Sequence, residues 1–300
     1  LVETVIFPLK LILLGAGFFG WALFVTPFSI RLSRRYRILD SPGGRKRHQG
    51  LVPRGSGIVL WIGYLILALF FSGSIDGITS VATGATLVFI LGYIDDMKGL
   101  SPRFRFLGHL VAAAIVVSVV PVPPLPRLIL FFWIAGGTSA YNLIDGMNGL
   151  ALTLFFITCL FGIVIGRPAW WVPVGAMALG MFYWNFPVAR TFLGDGGSTL
   201  LGYLCMSQLS IDGAGFLSEA SLPVLCAGLF LVGGIPFIDT FSSILRRIFS
   251  GKSPFTPDRG HIHHVLLDLG LPQTVVLLVL SAVHGFCIAG GYILLFGLRA

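Results

Sequence analysis

Charge-free, largely apolar stretches separated by short polar connections run the length of the chain. No Lys, Arg, Asp or Glu falls in residues 11–30, 56–75, 77–94, 106–126, 128–144, 146–166, 168–189, 196–211, 220–238 or 269–298. Most of these stretches reach the roughly 17 to 25 residues that a helix needs to cross about 30 Å of hydrocarbon. The 196–211 stretch is short and needs Asp195 or Asp212 near a boundary, while 269–298 is long enough to include part of a loop. The pattern predicts an all-α, polytopic integral membrane protein with about ten transmembrane helices. Residues 1–300 read as a single transmembrane domain, with a polar loop at 245–272 inside it. Pro121-Val122-Pro123-Pro124-Leu125-Pro126 reads as a stiff turn between two spans.

Composition agrees with the pattern. Hydrophobic residues make up 56% of the chain and charged residues 11%, with a mean hydropathy of +0.93, far from a soluble globular domain. Of the 20 Lys and Arg, all but Lys10, Arg127, Arg167 and Arg299 fall in connections on one face if the loop after the first stretch is cytoplasmic. The positive-inside rule then puts both termini outside. A net charge of +8 needs no nucleic acid as partner, because topology and anionic lipid head groups already account for a basic cytoplasmic face. The four cysteines, Cys159, Cys205, Cys226 and Cys287, lie inside apolar stretches without CxxC or metal-ligand spacing, and read as small buried hydrophobes. The first stretch lacks a small-residue cleavage site and exceeds a signal-peptide core, so it reads as a retained helix, and the missing initiator Met suggests a longer primary product. No internal repeat is visible.

With the outer end fixed, the odd-numbered spans end at the cytoplasm, and every polar cluster follows one of them. Asp95-Asp96 follows span three, Asn142 to Asn148 span five, Asp195 span seven, and His261 to His264 span nine. Accidental polar residues would fall on either face, so the clustering points to one cytoplasmic site. Asp95 and Asp96, followed by Lys98, Arg103 and Arg105, can hold one ionised acid as a base beside cations that bind an anion; a solvated turn is the alternative. Asn142, Asp145 and Asn148 recur every three residues, which lines up oxygen ligands on any helical portion, and Gly146 and Gly149 let backbone approach a ligand. A polar helix end with glycine caps is the plainer possibility there. Asp195-Gly196-Gly197-Ser198 reads as a loop entering a helix, where a carboxylate can hold a magnesium ion that bridges phosphates or merely cap the helix. Arg259, His261, His263 and His264 suit a diphosphate; a zinc site is the alternative, but the His spacing is not the HExxH pattern.

Taken in order, Arg45-Lys46-Arg47-His48 with Val52-Pro53-Arg54-Gly55, Tyr93 to Arg103, Asn142 to Gly149, Phe192 to Ser198 and Asp258 to His264 resemble the polyprenyl-phosphate N-acetylhexosamine-1-phosphate transferase family over nearly the whole chain. The resemblance implies transfer of an N-acetylhexosamine 1-phosphate, GlcNAc 1-phosphate first among them, from a UDP-sugar to undecaprenyl phosphate with release of UMP. It implies that Asp95 and Asp96 are catalytic, that Asp195 with Asn148 binds Mg2+ (Mn2+ as the alternative), and that the His-rich loop contributes to the nucleotide-sugar site. Lys98, Arg105, Asn142, Asp145, Arg259, His261, His263 and His264 then bind substrate, with Lys98 and Arg105 on the lipid phosphate. The Asp-Arg pair before His-x-His-His looks like the branch that uses N-acetylhexosamines rather than the peptidoglycan-precursor branch. Asn148 stands where many bacterial members carry Asp, and Arg105 where a Lys is common, which changes charge and geometry respectively. The implied setting is a multi-pass protein of the bacterial inner membrane, with the lipid bilayer as partner and a homodimer among the open oligomeric states.

A proton- or ion-coupled transporter is the alternative of a different class. Such proteins place binding residues near the bilayer midplane on broken helices, often in inverted repeats. Here the acids sit at span ends, and Asp239 is the best candidate for a buried acid.

Overall fold

The computed structural model describes residues 2–41, 50–73, 77–166, 168–254, 256 and 260–297, without the side chains of 2–7, 165 and 296. Among the described residues twelve helices follow one another: α1 (Val2–Arg35), α2 (Gly57–Phe71), α3 (Ile78–Lys98), α4 (Pro102–Val117), α5 (Pro124–Ile144), α6 (Leu150–Ile165), α7 (Pro168–Asn185), α8 (Gly194–Asp212), α9 (Ala214–Glu219), α10 (Leu222–Phe249), α11 (Ile262–Asp268) and α12 (Gln273–Phe296). Ten of them coincide with the ten charge-free stretches; α9 and α11 are short extras. Five helices, α1, α3, α5, α10 and α12, are long and apolar enough to cross a membrane, and α2 and α6 are shorter apolar helices, again among the described residues. The chain is thus a helical, multi-pass membrane protein. Large apolar side chains such as Phe24, Leu69, Phe70, Val164 and Phe286 are exposed, as expected of surfaces that face lipid rather than water.

The short 196–211 stretch is the centre of the bundle. Every residue of α8 from Gly196 to Ser210 is buried, with α2, α3, α5 and α6 packed around it. A helix enclosed by protein need not be greasy, which explains its Ser, Thr and Gln content. Tyr64, Tyr141, Tyr203, Trp170 and Trp171 are fully buried against it or its neighbours.

Local chemistry sets the ends that matter. α3 stops at Gly99, whose φ of 71° only glycine adopts cheaply, and α4 starts on Ser101, whose Oγ accepts from Phe104 N at 3.3 Å, followed by Pro102 in the first turn. The proline run is partly helical: Pro124 to Pro126 form the first turn of α5 rather than a turn outside it. α10 is kinked at Gly234 (φ 58°) just before Pro236, and there His284 Nδ1 accepts from Ile235 N at 3.3 Å, satisfying a donor that the break would leave orphaned. One feature departs from an all-α reading: β1 (Leu39–Asp40) and β2 (Val52–Pro53) pair antiparallel. All four cysteines are free, but only Cys159 and Cys205 are buried; Cys226 is exposed and Cys287 intermediate, because α10 and α12 turn those positions outward.

Candidate active site

Asp95 and Asp96 lie in the last turn of α3, and Asp195 in the first turn of α8, so the carboxylates meet where one helix ends and the other begins. Two close helix approaches make this possible. A Cβ on Gly92 would stand 2.6 Å from Gly196 Cα, and a Cβ on Gly57 would collide with Gly197. Glycine at these positions lets backbones touch, and Gly194 (φ 74°) turns the chain into α8.

The acids are spanned by two arginines. Arg105 Nη1 reaches Asp95 Oδ2 at 2.6 Å and also pairs with Asp195 Oδ2. Arg54 Nη2 pairs with Asp96 Oδ1, lies 3.3 Å from Asp195 Oδ1, and through Nη1 faces Asp40 at 3.7 Å. Asp96 also accepts Asp195 N at 2.9 Å and Gly196 N at 3.3 Å, so it caps the N-terminus of α8 from outside that helix. Asp95 accepts Leu100 N. The Asp96 side chain is fully buried, whereas the side chains of Asp95 and Asp195 keep 10% and 25% exposure. Asp195 is not a simple cap: the N-cap position is Leu193 and carries no side-chain cap.

The Asn142–Gly149 segment joins this site to the His-rich loop. Asn142, near the end of α5, donates through Nδ2 to Asp195 Oδ2 at 3.3 Å and accepts from Ser198 Oγ at 2.7 Å. Asp145 ends the helix as its C-cap residue; desolvation, then the charges of Asp195 and Asp96, push its carboxyl well above the usual range. Gly146 sits against the His263 ring. His263 is fully buried, and neither ring nitrogen has a hydrogen-bond partner. Burial, then the neighbouring His264, lower its pKa to about 3. His261, by contrast, is fixed: its Nδ1 lies 2.6 Å from Asp239 Oδ2, and Ile262 N donates to Asp239 Oδ1 at 2.7 Å. His264 lies beside His263, with ring centroids 4.2 Å apart.

Of the residues singled out by sequence, Asp95, Asp96, Arg105, Asn142 and Asp195 are linked directly. Asp145 lies within electrostatic range of them, and His261, His263 and His264 connect through Gly146. Lys98, at the end of α3, is exposed and has no ion-pair partner among the described residues. Asn148 donates through Nδ2 to Pro187 O at 3.1 Å, and its backbone carbonyl accepts from Gln273 at 3.2 Å, so its contacts run to the loop after α7 and the start of α12 rather than to Asp195. Arg259 lies outside the described residues. Two residues were not singled out as part of the site: Arg54, visible only as a cation in the Val52–Gly55 block, and Asp239. The latter is not an acid open to a transport path but the anchor of the His loop. Among the described residues no three His, Cys, Asp or Glu side chains form a ready metal-binding group.

Residues 78–213 match the family described as Glycosyl transferase family 4. The chain is 32% identical to a probable undecaprenyl-phosphate N-acetylglucosaminyl 1-phosphate transferase of Bacillus subtilis, over 86% of this chain and 77% of the relative. It is 30% identical to an undecaprenyl-phosphate alpha-N-acetylglucosaminyl 1-phosphate transferase of Thermotoga maritima, over 86% and 83% of the two chains. The protein of the same name in Escherichia coli K12 is 28% identical, over 85% and 76%.

Proposed function

The chain belongs to glycosyl transferase family 4, and from that premise we propose that it transfers GlcNAc 1-phosphate from UDP-GlcNAc to undecaprenyl phosphate, releasing UMP and starting a lipid-linked cell-envelope glycan. The observation that carries the proposal is the meeting of Asp95, Asp96 and Asp195 with Arg54 and Arg105 at the α3–α8 junction, joined through Asn142–Gly149 to His263. Carboxylates interleaved with arginines suit a reaction between two anions, which needs charge neutralised and groups positioned more than it needs covalent help.

In the reaction an oxygen of the lipid phosphate attacks the β-phosphorus of the UDP-sugar, the bond from that phosphorus to the bridging oxygen breaks, and UMP leaves. Asp95 is the better placed of the paired acids to take the remaining proton from the lipid phosphate. It keeps some exposure, whereas Asp96 is enclosed and committed to α8. Arg105 and Lys98 hold the lipid phosphate, Lys98 as a point charge and Arg105 as a planar fork. Asp195 itself is held by nitrogen donors of Arg54, Arg105 and Asn142, while the carboxylates of Asp95 and Asp96 beside it supply oxygens of the kind magnesium takes. Asp195 would hold the ion, and Asn148 would join it as second donor only by leaving its contact with Pro187. When bound, magnesium supplies positive charge on the pyrophosphate. His263, buried with both ring nitrogens unpartnered, would reach the sugar diphosphate only by turning out from against Gly146, and Arg259 adds a cation on the same loop. The site lies on the cytoplasmic side of a bacterial inner membrane in this reading. UMP release from UDP-GlcNAc by the purified chain tests it: release is expected only when undecaprenyl phosphate and a divalent cation are both present. Release that ignores the lipid acceptor overturns it.

A further inference from the structure

A groove of about 460 Å³ lies beside the end of α1, lined by Arg31, Arg34 and Arg190 together with Ile30, Val52 and Trp184. Among the described residues no acidic side chain lines it, and none of the three arginines has a carboxylate partner. The guanidinium planes of two of them rest on aromatic rings instead. Arg190 stacks 5.4 Å from the ring centroids of both Tyr183 and Trp184, and Arg31 lies 5.3 Å from that of Phe28. In sequence, Arg31 is the first charge after the apolar stretch 11–30 and Arg190 the first after 168–189, so both stand at the boundary between hydrocarbon and water. About two turns back along α1 from Arg31, Trp184 Nε1 of α7 donates to Leu23 O at 3.0 Å and binds the two helices. A second groove, of about 360 Å³, runs between α1 and α2 over Val25, Leu32 and Ile58, and shares Arg31 with the first. A cationic basin at the end of α1 therefore adjoins a mostly apolar groove that also carries Arg35.

We propose that this pair of grooves binds an anionic membrane phospholipid, its phosphodiester on Arg31, Arg34 and Arg190 and an acyl chain along α1 and α2. Basic pockets between membrane helices on the cytoplasmic side recognise anionic head groups in this way, and guanidinium forks match phosphate oxygens. The occupant is not the reacting polyprenyl phosphate. Val52 and Pro53 form one wall of the basin, while the next residue, Arg54, reaches Asp96 and Asp195, so a phosphate in the basin is screened from the carboxylates by the β2 strand. The same wall gives the lipid leverage on the site. Pro53 O accepts Phe192 N at 2.8 Å and Thr191 Oγ1 at 3.1 Å, which ties the segment carrying Arg54 to the one leading from Arg190 into Asp195. A head group that bridges α1 to Arg190 holds both segments in place.

The test is native mass spectrometry of the full chain released from nanodiscs containing phosphatidylcholine, phosphatidylglycerol and undecaprenyl phosphate, a readout that needs no turnover. The double variant Arg31→Gln with Arg34→Gln is expected to retain phosphatidylglycerol roughly 30-fold less well than the unsubstituted chain, the Lys counterparts to recover most of it, and retention of undecaprenyl phosphate to stay unchanged. Unchanged phosphatidylglycerol retention overturns the proposal, as does a selective loss of undecaprenyl phosphate, which would assign the basin to the reacting lipid. On the unsubstituted protein, a photoactivatable phosphatidylglycerol is expected to cross-link to the end of α1 and to residues 183–190. Labelling that avoids both overturns the proposal without any variant.

Discussion

At the scale of single residues, the acids that look alike in sequence have different surroundings and therefore different expected phenotypes. Asp195→Asn keeps the side-chain shape but removes the charge that Arg54 and Arg105 face, so turnover is expected to vanish while the protein still inserts and folds; magnesium-dependent activity near the original level would take Asp195 out of the metal role. Asp95→Asn is expected to lower turnover by roughly 10²- to 10⁴-fold with UDP-sugar binding intact, the range for loss of a general base. Asp96→Asn behaves differently, because both carboxylate oxygens accept backbone N–H groups of α8 and an amide offers only one acceptor. Its thermal midpoint falls as well as its activity, and an unchanged midpoint would show that Asp96 is not holding α8. His263 makes a prediction in pH. With its pKa lowered to about 3 by burial and by His264, the ring is neutral in the free protein at pH 7. A diphosphate supplies the missing acceptor and favours the imidazolium, so the pKa rises on binding and the complex takes up a proton at any pH between the free and bound values. UDP-sugar affinity is therefore expected to rise as the pH falls from about 8 to about 6, and His263→Ala to flatten the profile. Calorimetry in buffers of different ionisation enthalpy reads the proton directly, and zero uptake would leave His263 as a neutral donor.

At the scale of elements, the site depends on how closely α3 and α8 approach. Gly92 lies one turn before Asp96, and a methyl there would meet Gly196 Cα at 2.6 Å, so Gly92→Ala must push the helices apart just where Asp96 accepts from Asp195 and Gly196. A shift of about 1 Å in a catalytic constellation can cost on the order of 10²-fold, and a loss of that size is expected, whereas Gly136→Ala, which meets nothing within 4 Å, should leave activity unchanged. Equal activity in both variants would show that the α3–α8 contact does not set the geometry. The helices themselves were legible, because an apolar, charge-free run of membrane length satisfies its backbone in hydrocarbon only by coiling into a helix. Their ends were less so. The run stops at the first charge, yet α10 continues past Asp239 to Phe249 because that carboxylate is buried against His261 and Ile262 instead of solvated. The 146–166 run starts too early because the helix waits for Gly149, whose φ of 77° breaks the chain before α6. Within the site, the acidic and His clusters announced themselves by type and order. Arg54 did not, since its value lies in reaching Asp195, 141 positions away in sequence. For the same reason spacing alone put Asn148 beside Asp145 on one helical face, while packing turned it toward Pro187.

At the scale of the whole molecule, the arrangement makes sense only if the charged substrate and the site share a compartment. A UDP-sugar is hydrophilic and cannot reach carboxylates across hydrocarbon, whereas a polyprenyl phosphate arrives in the membrane plane; in the proposed function the end of the bundle that carries Asp95, Asp195 and His263 is therefore expected to face the compartment that supplies the UDP-sugar, the cytoplasm. The basic connections fall on that same end, as anionic lipid and the positive-inside rule require. The prediction is one of sidedness. Lys252, exposed after α10, and Ser118, exposed after α4, stand on opposite faces if the chain crosses the membrane as its charge-free stretches suggest. With Cys226 and Cys287 replaced by Ala, because the first is exposed and the second partly so, the buried Cys159 and Cys205 leave a quiet background. A membrane-impermeant maleimide applied to right-side-out vesicles is expected to label Ser118→Cys at once and Lys252→Cys only after the vesicles are opened. The reverse pattern would invert the topology and place the His loop outside, beyond the reach of cytoplasmic UDP-sugar. Labelling of both positions from outside would mean that the helices from α5 through α10 cross the membrane an even number of times instead of five, and the parity that gathers the acidic and His clusters on one face would fail with it.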